Sequence, residues 1–302
     1  MIRNYDLPSI FFSVCIVTYR RPALLQKCLD CIAPSRQFLD PSLYEVIISD
    51  DCSEQSARPV TEKSGFARWI QGPSQGIAAN RNHVVGAAIG EWIVFIDDDE
   101  LPEPDWLENF YHVAATGKWD VLEGRVAPIC YPDSLLWYAP RVSSGGRFCT
   151  ANLAIRRQIL FQLGGFDERL RVSHEDVELG IRIHKSGLRS AFIREALVKH
   201  PARRISLAQA WQVMIQQQCQ CFVLQHRDSR FGRRACTTPI YIFIWSLKFC
   251  IRIFRLEMAN KLPGHWRRPI QSILLRMMAS PLAIHKIWFA PDLQVLANQQ
   301  WR

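Results

Sequence analysis

The feature that most constrains this chain is an apolar run that ends in acid. Trp92, Ile93, Val94, Phe95 and Ile96 contain no polar residue, and Asp97, Asp98, Asp99 and Glu100 follow with no base beside them. The run reads as a buried strand, bounded by a turn. Similar units recur along the front of the chain. Phe11–Thr18 is a short β-rich run, and Pro22 then stands at a first helical position before Leu24, Leu25, Cys28, Leu29 and Ile32 at helical spacing. Glu45–Ser49 and Ala67–Gln71 read as strands, Ile77–Ile89 and Trp106–Ala115 as helices. Alternation of this kind predicts an α/β fold, a mostly parallel sheet flanked by helices.

Ligands of such sheets bind beyond the carboxyl ends of the strands. Thr18, Asp50, Asp51 and the acids at 97–100 all fall there, which makes them candidates for one site. Three carboxylates past a buried strand suit Mg²⁺ or Mn²⁺, ions that keep waters and take further ligands from substrate phosphates. Taken alone, the triplet reads more simply as a solvated acidic turn. Asp50-Asp51-Cys52-Ser53 alone likewise reads as a turn and helix cap.

From Ala127 to Arg147 the rhythm fails, in a Pro- and Gly-containing loop rich in Trp and Tyr. Asn152–Arg156 follows, then a helix to Leu163, a Gly164-Gly165 stop, a helix from His174 to Lys185 and a strand over Leu188–Val198. Beyond Pro201 the signals are almost wholly helical, and composition changes with them. Of the net charge of +9, residues 201–302 carry +12, from 15 Lys/Arg against 3 Asp/Glu, and the first 200 carry −3. With 302 residues and 48% hydrophobic content the chain can bury a large core.

Five segments in order carry a resemblance: "CIVTYRRP" (15–22), "IISDDCS" (47–53), "GIAANRN" (76–82), "GGFDERL" (164–170) and "HEDVELGIRI" (174–183), with "FIDDDE" (95–100) among them. In this order and spacing the chain resembles the inverting family 2 glycosyltransferases of the GT-A fold, over residues 11–200. The resemblance implies a GT-A nucleotide-diphospho-sugar transferase domain over 1–200, its nucleotide half about 1–100 and its acceptor half about 101–200, with a basic helical extension over 201–302. It also assigns roles. Thr18, with Tyr19 and Arg20 beside it, matches the nucleotide contact, and Asp51 the residue that accepts the imide N–H of the base, usually a uracil. Arg81 matches an arginine near the diphosphate. Asp97 and Asp99, with Asp98 between them, match the D-x-D pair that contacts the ribose and a divalent metal, Mg²⁺ or Mn²⁺. Asp176 matches the general base and Glu175 a partner that helps to hold the acceptor; read without the resemblance, that Glu-Asp pair is what a helix dipole favours in its first turn.

Weaker assignments follow. "GGRFCTANLAIRR" (145–157) lines the donor-sugar and acceptor pocket, with Asn152 as a polar contact. Trp137 and Tyr138 stack on a sugar or simply pack. His200 falls where some GT-A enzymes place a metal-ligating histidine, and a structural histidine is the plainer alternative.

The implied activity is transfer of one sugar from a nucleotide-diphosphate donor, UDP-linked by the resemblance, to a hydroxyl of a glycan or lipid-linked oligosaccharide. The Q-x-x-R-W motif of the processive synthases is absent, which argues for addition of one sugar or a few. Two alternatives are a nucleotidyltransferase and a nucleic-acid-binding protein. The first lacks a Gly-rich basic phosphate loop in "VTYRRP", and the second lacks any recognised motif to accompany the basic tail, so no nucleic-acid partner is expected. Lys248, Arg252 and Arg255 recur at helical spacing among Phe249, Ile251, Ile253, Phe254 and Leu256, and Met277, Leu282, Ile284, Ile287 and Trp288 make a second apolar stretch. They predict peripheral contact with an anionic membrane surface, or else a helical cap or oligomer interface. Cys28-x-x-Cys31 and Cys219-x-Cys221 lack a second ligand pair, so zinc is not expected. Scattered, reduced cysteines and the absence of a signal peptide predict a cytoplasmic protein at the inner face of the membrane.

Overall fold

The computed structural model describes residues 10–129, 137–171 and 174–204. The chain divides into one unit of Met1–Ile129 with Pro140–Pro201 and another of Cys130–Ala139 with Ala202–Arg302. The basic tail beyond Arg204, with both predicted surface helices, lies outside the described residues.

The first unit is built on an eight-stranded sheet. In chain order its elements are β1 (Phe12–Thr18), α1 (Pro22–Ile32), β2 (Tyr44–Asp50), α2 (Arg58–Ser64), β3 (Ala67–Gln71), α3 (Ile77–Ala87), β4 (Trp92–Ile96), β5 (Leu101–Pro102), α4 (Trp106–Ala114) and β6 (Val121–Ile129). In the other unit, β7 (Trp137–Tyr138) pairs antiparallel with β10 (Arg203–Arg204). The first unit is completed by β8 (Asn152–Arg156), α5 (Arg157–Gln162), α6 (Glu175–Lys185) and β9 (Ser190–Pro201). The sheet order is β3-β2-β1-β4-β8-β6-β9-β5. β3, β2, β1 and β4 are parallel, as are β6 and β9, whereas β8 runs antiparallel between β4 and β6, and β5 antiparallel along β9. The sheet is therefore mixed, parallel through its first four strands.

Period-two alternation gives the sheet two dry faces. Phe12, Val14 and Ile16 of β1 and Trp92, Val94 and Ile96 of β4 pack with Leu25, Leu29 and Ile32 of α1 and with Trp106, Leu107 and Phe110 of α4. Cys15, Val17, Ile93 and Phe95 face the other way, onto Ala78, Val84 and Val85 of α3 and Leu179 and Ile183 of α6. Burial on both faces is why β4 carries no polar residue before Asp97.

Two elements depart from the sequence expectation. The loop expected from Ala127 begins later, because β6 runs to Ile129 and Val126 still bridges Val142. Glu123, Gly124 and Arg125 break the apolar pattern of that strand. The fold accommodates them by buried pairing of Glu123 (below) and by a register shift between Gly124 and Arg125. α2, a short helix without a marked apolar stripe, also goes beyond the periodicity.

Candidate functional site

The carboxyl ends of β1, β2 and β4 converge. Thr18 ends β1 opposite Asp50, and Asp97 follows directly on β4. The buried Thr18 hydroxyl donates to Asp98 Oδ2 at 2.6 Å. Asp98 is itself fully buried; burial raises its carboxyl to about 7, against the pull of Arg21 and the Thr18 hydrogen bond.

The two acids after β2 have different duties. Asp50 is buried and accepts the backbone N–H of Cys52 at 3.1 Å and of Ala57 at 2.7 Å, which shapes the turn. Asp51 accepts from Ser74 N–H at 2.6 Å and Gly76 N–H at 3.1 Å, tying the β2 end to the loop before α3. Gly76 has φ +101°, and a Cβ there would sit 2.5 Å from the Arg171 carbonyl oxygen, so only glycine fits.

The turn after β4 gathers the remaining groups. β5 pairs with β9 through Leu101 and Lys199, which sets His200 beside the turn. His200 is buried, its Nε2 is 3.5 Å from Asp99 Oδ1, and its Nδ1 has no hydrogen-bond partner. Glu100 is fully buried, with neither side-chain oxygen hydrogen-bonded; burial first, then Asp97 and Asp99, pushes its carboxyl to about 10.

Arg81, on α3 and buried, crosses to the other half. Its Nη2 donates to Asp97 Oδ1 at 3.0 Å and its Nη1 to Glu175 Oε1. Burial opposes its charge, but Glu175, Asp97 and Asp176 outweigh that and raise its pKa. Glu175 opens α6, is buried, and is raised to about 7 by burial against the pull of Arg81. Asp176 beside it is only part-buried and accepts Val177 N–H at 2.8 Å. One guanidinium thus joins the acids after β4 to the first turn of α6.

Other expected residues are placed elsewhere or otherwise used. Asn152 is buried; its oxygen accepts from Trp106 Nε1 at 2.8 Å and its amide donates to Arg125 O at 3.0 Å and Ala196 O at 2.8 Å. Those bonds use both amide hydrogens, so Asn152 braces the sheet and has no donor left for a sugar. Arg20, with φ +56°, turns outward to Glu54 at 2.5 Å, over the exposed ring of Tyr19. Trp137 belongs to the other unit, opposite Arg204 in the β7–β10 ribbon.

Two residues were missed. Arg21 donates to Asp99 and forms an ion pair with Asp98, a role the doublet Arg20-Arg21 did not disclose. Glu123 of β6 is buried and accepts N–H from Gly146 at 2.5 Å, Arg147 at 2.9 Å and Phe148 at 2.6 Å. It holds the loop that leads into β8, and a lone acid in a strand was the signal.

Asp97, Asp98, Asp99 and His200 offer hard carboxylate oxygens and one imidazole, the donor types Mg²⁺ and Mn²⁺ accept. Among the described residues no three such side chains converge as a cage. The fit rests on the donor types alone, and the remaining ligands would be substrate phosphates and water.

Comparison with known proteins is consistent with this geometry. The sequence profile described as glycosyl transferase family 2 matches residues 13–177. The glycosyltransferase AglE of Haloferax volcanii is 27% identical over 209 residues, covering 64% of this chain and 67% of its own. The succinoglycan biosynthesis protein ExoM of Rhizobium meliloti is 27% identical over 231 residues, covering 67% of this chain and 71% of its own. Among solved structures, S. aureus TarS 1–349 in complex with UDP is similar with a TM-score of 0.56 at 16% identity, covering 92% of this chain and 91% of that one. The mannosyltransferase PcManGT of Pyrobaculum calidifontis, in complex with GDP-Man and Mn²⁺, gives 0.56 at 18% identity, covering 95% and 78%. At such identities the two structures speak for the fold, a GT-A arrangement.

Proposed function

Since this chain belongs to glycosyl transferase family 2, whose profile matches more than half of it, we propose that it moves one sugar from a nucleotide-diphosphate donor to a glycan or lipid-linked hydroxyl, with inversion. The observation that carries this is Arg81, which holds Asp97 and Glu175 to one guanidinium and so brings donor-side and acceptor-side carboxylates together across 78 residues.

On this reading Thr18 and Asp51 face the nucleoside, and Asp51 accepts the imide N–H of a uracil. Asp97, Asp99 and His200 would hold Mg²⁺ or Mn²⁺, with Asp98 anchored behind them by Thr18. The cation supplies Lewis-acid stabilisation of the charge that builds on the diphosphate. Asp176 is the base, because it is the more accessible acid of the pair while Glu175 is committed to Arg81. Asp176 takes the acceptor hydroxyl's proton as that oxygen bonds to the anomeric carbon. The carbon–phosphate-oxygen bond breaks, and its electron pair leaves with the diphosphate.

The catalytic reading attaches to residues 1–200. Residues 201–302, acid-poor and carrying +12, are proposed as a peripheral membrane contact from the cytoplasmic side. Among the described residues no helix is long and apolar enough to cross a membrane. Deleting the chain after Pro239 should release the protein from membrane fractions, and unchanged fractionation of a folded truncation removes that role.

The enzymatic reading is tested by thermal shift with a panel of sugar nucleotides, with and without Mn²⁺. The correct donor and metal together should raise the melting temperature more than either alone. No shift with any member of the panel overturns the proposal.

A further inference from the structure

Arg21 is the cation that already meets the acids. It lies between β1 and α1, with Pro22 next to it starting the helix. Its Nη2 is 2.9 Å from Asp98 Oδ1 and its Nη1 is 3.0 Å from Asp99 Oδ2. One planar guanidinium thus lies against two neighbouring carboxylates, hydrogen-bonded to Asp99 and ion-paired with Asp98.

The three partners differ in freedom. Asp98 is fully buried and pinned by Thr18, and only 11% of the Asp99 side chain is exposed, with His200 against it. Arg21 keeps 38% of its side chain exposed. The arginine is therefore the member that can move without unpacking the fold. The other arginine among these acids, Arg81, is 4% exposed and held at both ends, so it cannot play this part.

A divalent cation bound at Asp99 would sit within a few ångströms of that guanidinium, and like charges so close repel. The nucleotide diphosphate that brings the ion also brings negative charge, which is a new partner for a displaced arginine. We propose that Arg21 is a resident counter-ion: it neutralises Asp98 and Asp99 in the free enzyme, gives up Asp99 to the metal, and passes to the donor's diphosphate. This rests on the nucleotide-sugar reading of the site and adds to it a second arginine, Arg21, that reaches the diphosphate. It also explains how the free protein tolerates adjoining acids: the cation they need is built in.

The exchange predicts two changes of opposite sign in Arg21→Met. Without the competing guanidinium, Mn²⁺ alone should bind about tenfold tighter, read from the electron paramagnetic resonance of free Mn²⁺. Without the diphosphate contact, UDP and GDP in saturating Mn²⁺ should bind about tenfold weaker by calorimetry. Arg21→Lys, which keeps a point charge but loses the fork, should show the same signs at smaller size, and serves if the methionine variant does not fold. A merely structural role would weaken both ligands together; that result, or no change in either, overturns the proposal. If the wild type binds neither UDP nor GDP with Mn²⁺, the nucleotide-sugar reading falls. The Mn²⁺ arm still decides the counter-ion, because no tightening there refutes it.

Discussion

Two groups of buried acids in the first unit, those that follow β4 and Glu123 of β6, are held by different means. On the parallel side, β1 to β4, acids sit just beyond strand ends, where the sheet delivers them; Asp50 and Asp51 after β2 take backbone N–H groups, whereas the Asp triplet after β4 is neutralised by long side chains, Arg21 at Asp98 and Asp99 and Arg81 at Asp97. On the mixed side, Glu123 is held by three backbone N–H groups of its own half, and only Glu175 depends on the other half, through Arg81. A site meant to exchange one cation for another is served by side-chain counter-ions that can be displaced. A scaffold is served by backbone donors that cannot.

The largest expected effects break the comparison at its chemical ends. Asp99→Ala should abolish turnover and with it the metal dependence of nucleotide binding. Asp176→Asn should lower kcat about 10³-fold, within the usual range for a general base, and leave donor affinity nearly intact. Calorimetry with the donor nucleotide, run beside single-turnover rates, separates the two. Asp176→Asn with full activity sinks the base assignment, and Asp99→Ala that keeps Mn²⁺-dependent binding sinks the ligand assignment.

Next comes the strut between the halves. Arg81→Met leaves Glu175 buried without its partner and should cost about 3–5 kcal/mol of folding stability, read from urea melts. In Arg81→Met/Glu175→Gln the loss should be smaller than the sum of the single losses, since Glu175 no longer stays as an uncompensated charge. Additive losses would show that the two halves are not coupled through this pair.

A smaller effect isolates the mixed half. Glu123→Ala leaves the N–H groups of Gly146, Arg147 and Phe148 without their acceptor and should cost about 2–3 kcal/mol. Hydrogen exchange should speed up at those three amides and not at Ser74 or Gly76, which rely on Asp51. Uniform exchange across both sets would mean that the loop is not an independent consequence of Glu123.

The comparison also explains what could be read in advance. The parallel half was legible because apolar runs, helical spacing and the acid after β4 are local patterns, and the carboxyl-end rule then gathers Thr18, Asp51 and Asp97. The mixed half was less so. That β8 inserts antiparallel between β4 and β6 depends on pairing between residues far apart in sequence, such as Ile96 with Asn152, and no local periodicity encodes it. Asn152 was assigned to a sugar because its polarity is visible in sequence, whereas its three bonds to Trp106, Arg125 and Ala196 are not. Of the doublet Arg20-Arg21, the choice of inward member turned on a single positive φ at Arg20. Family resemblance assigned Glu175 and Asp176, but their difference in burial emerges only with the fold.

The smallest expected effect sharpens the contrast at Glu100, the acid of the parallel half that has neither an arginine nor a backbone donor on its side chain. Burial raises its carboxyl to about 10, from an ordinary value of 4.5. Between those values the folded chain binds more protons than the unfolded one, so stability must fall as pH rises through that window. Below 4.5 both states are protonated and the penalty vanishes. Glu100→Gln keeps the shape and the unpaired polar end but removes the proton uptake. It should therefore melt near the wild type at pH 4.5 and exceed it by about 2 kcal/mol at pH 6, in EDTA. The comparison predicts that Glu123→Gln, which loses a charged acceptor for three N–H groups, moves in the opposite direction at pH 6. If Glu100→Gln destabilises the protein equally at both pH values, the buried carboxyl of Glu100 is ionised through a partner after all, and the two halves manage their acids alike.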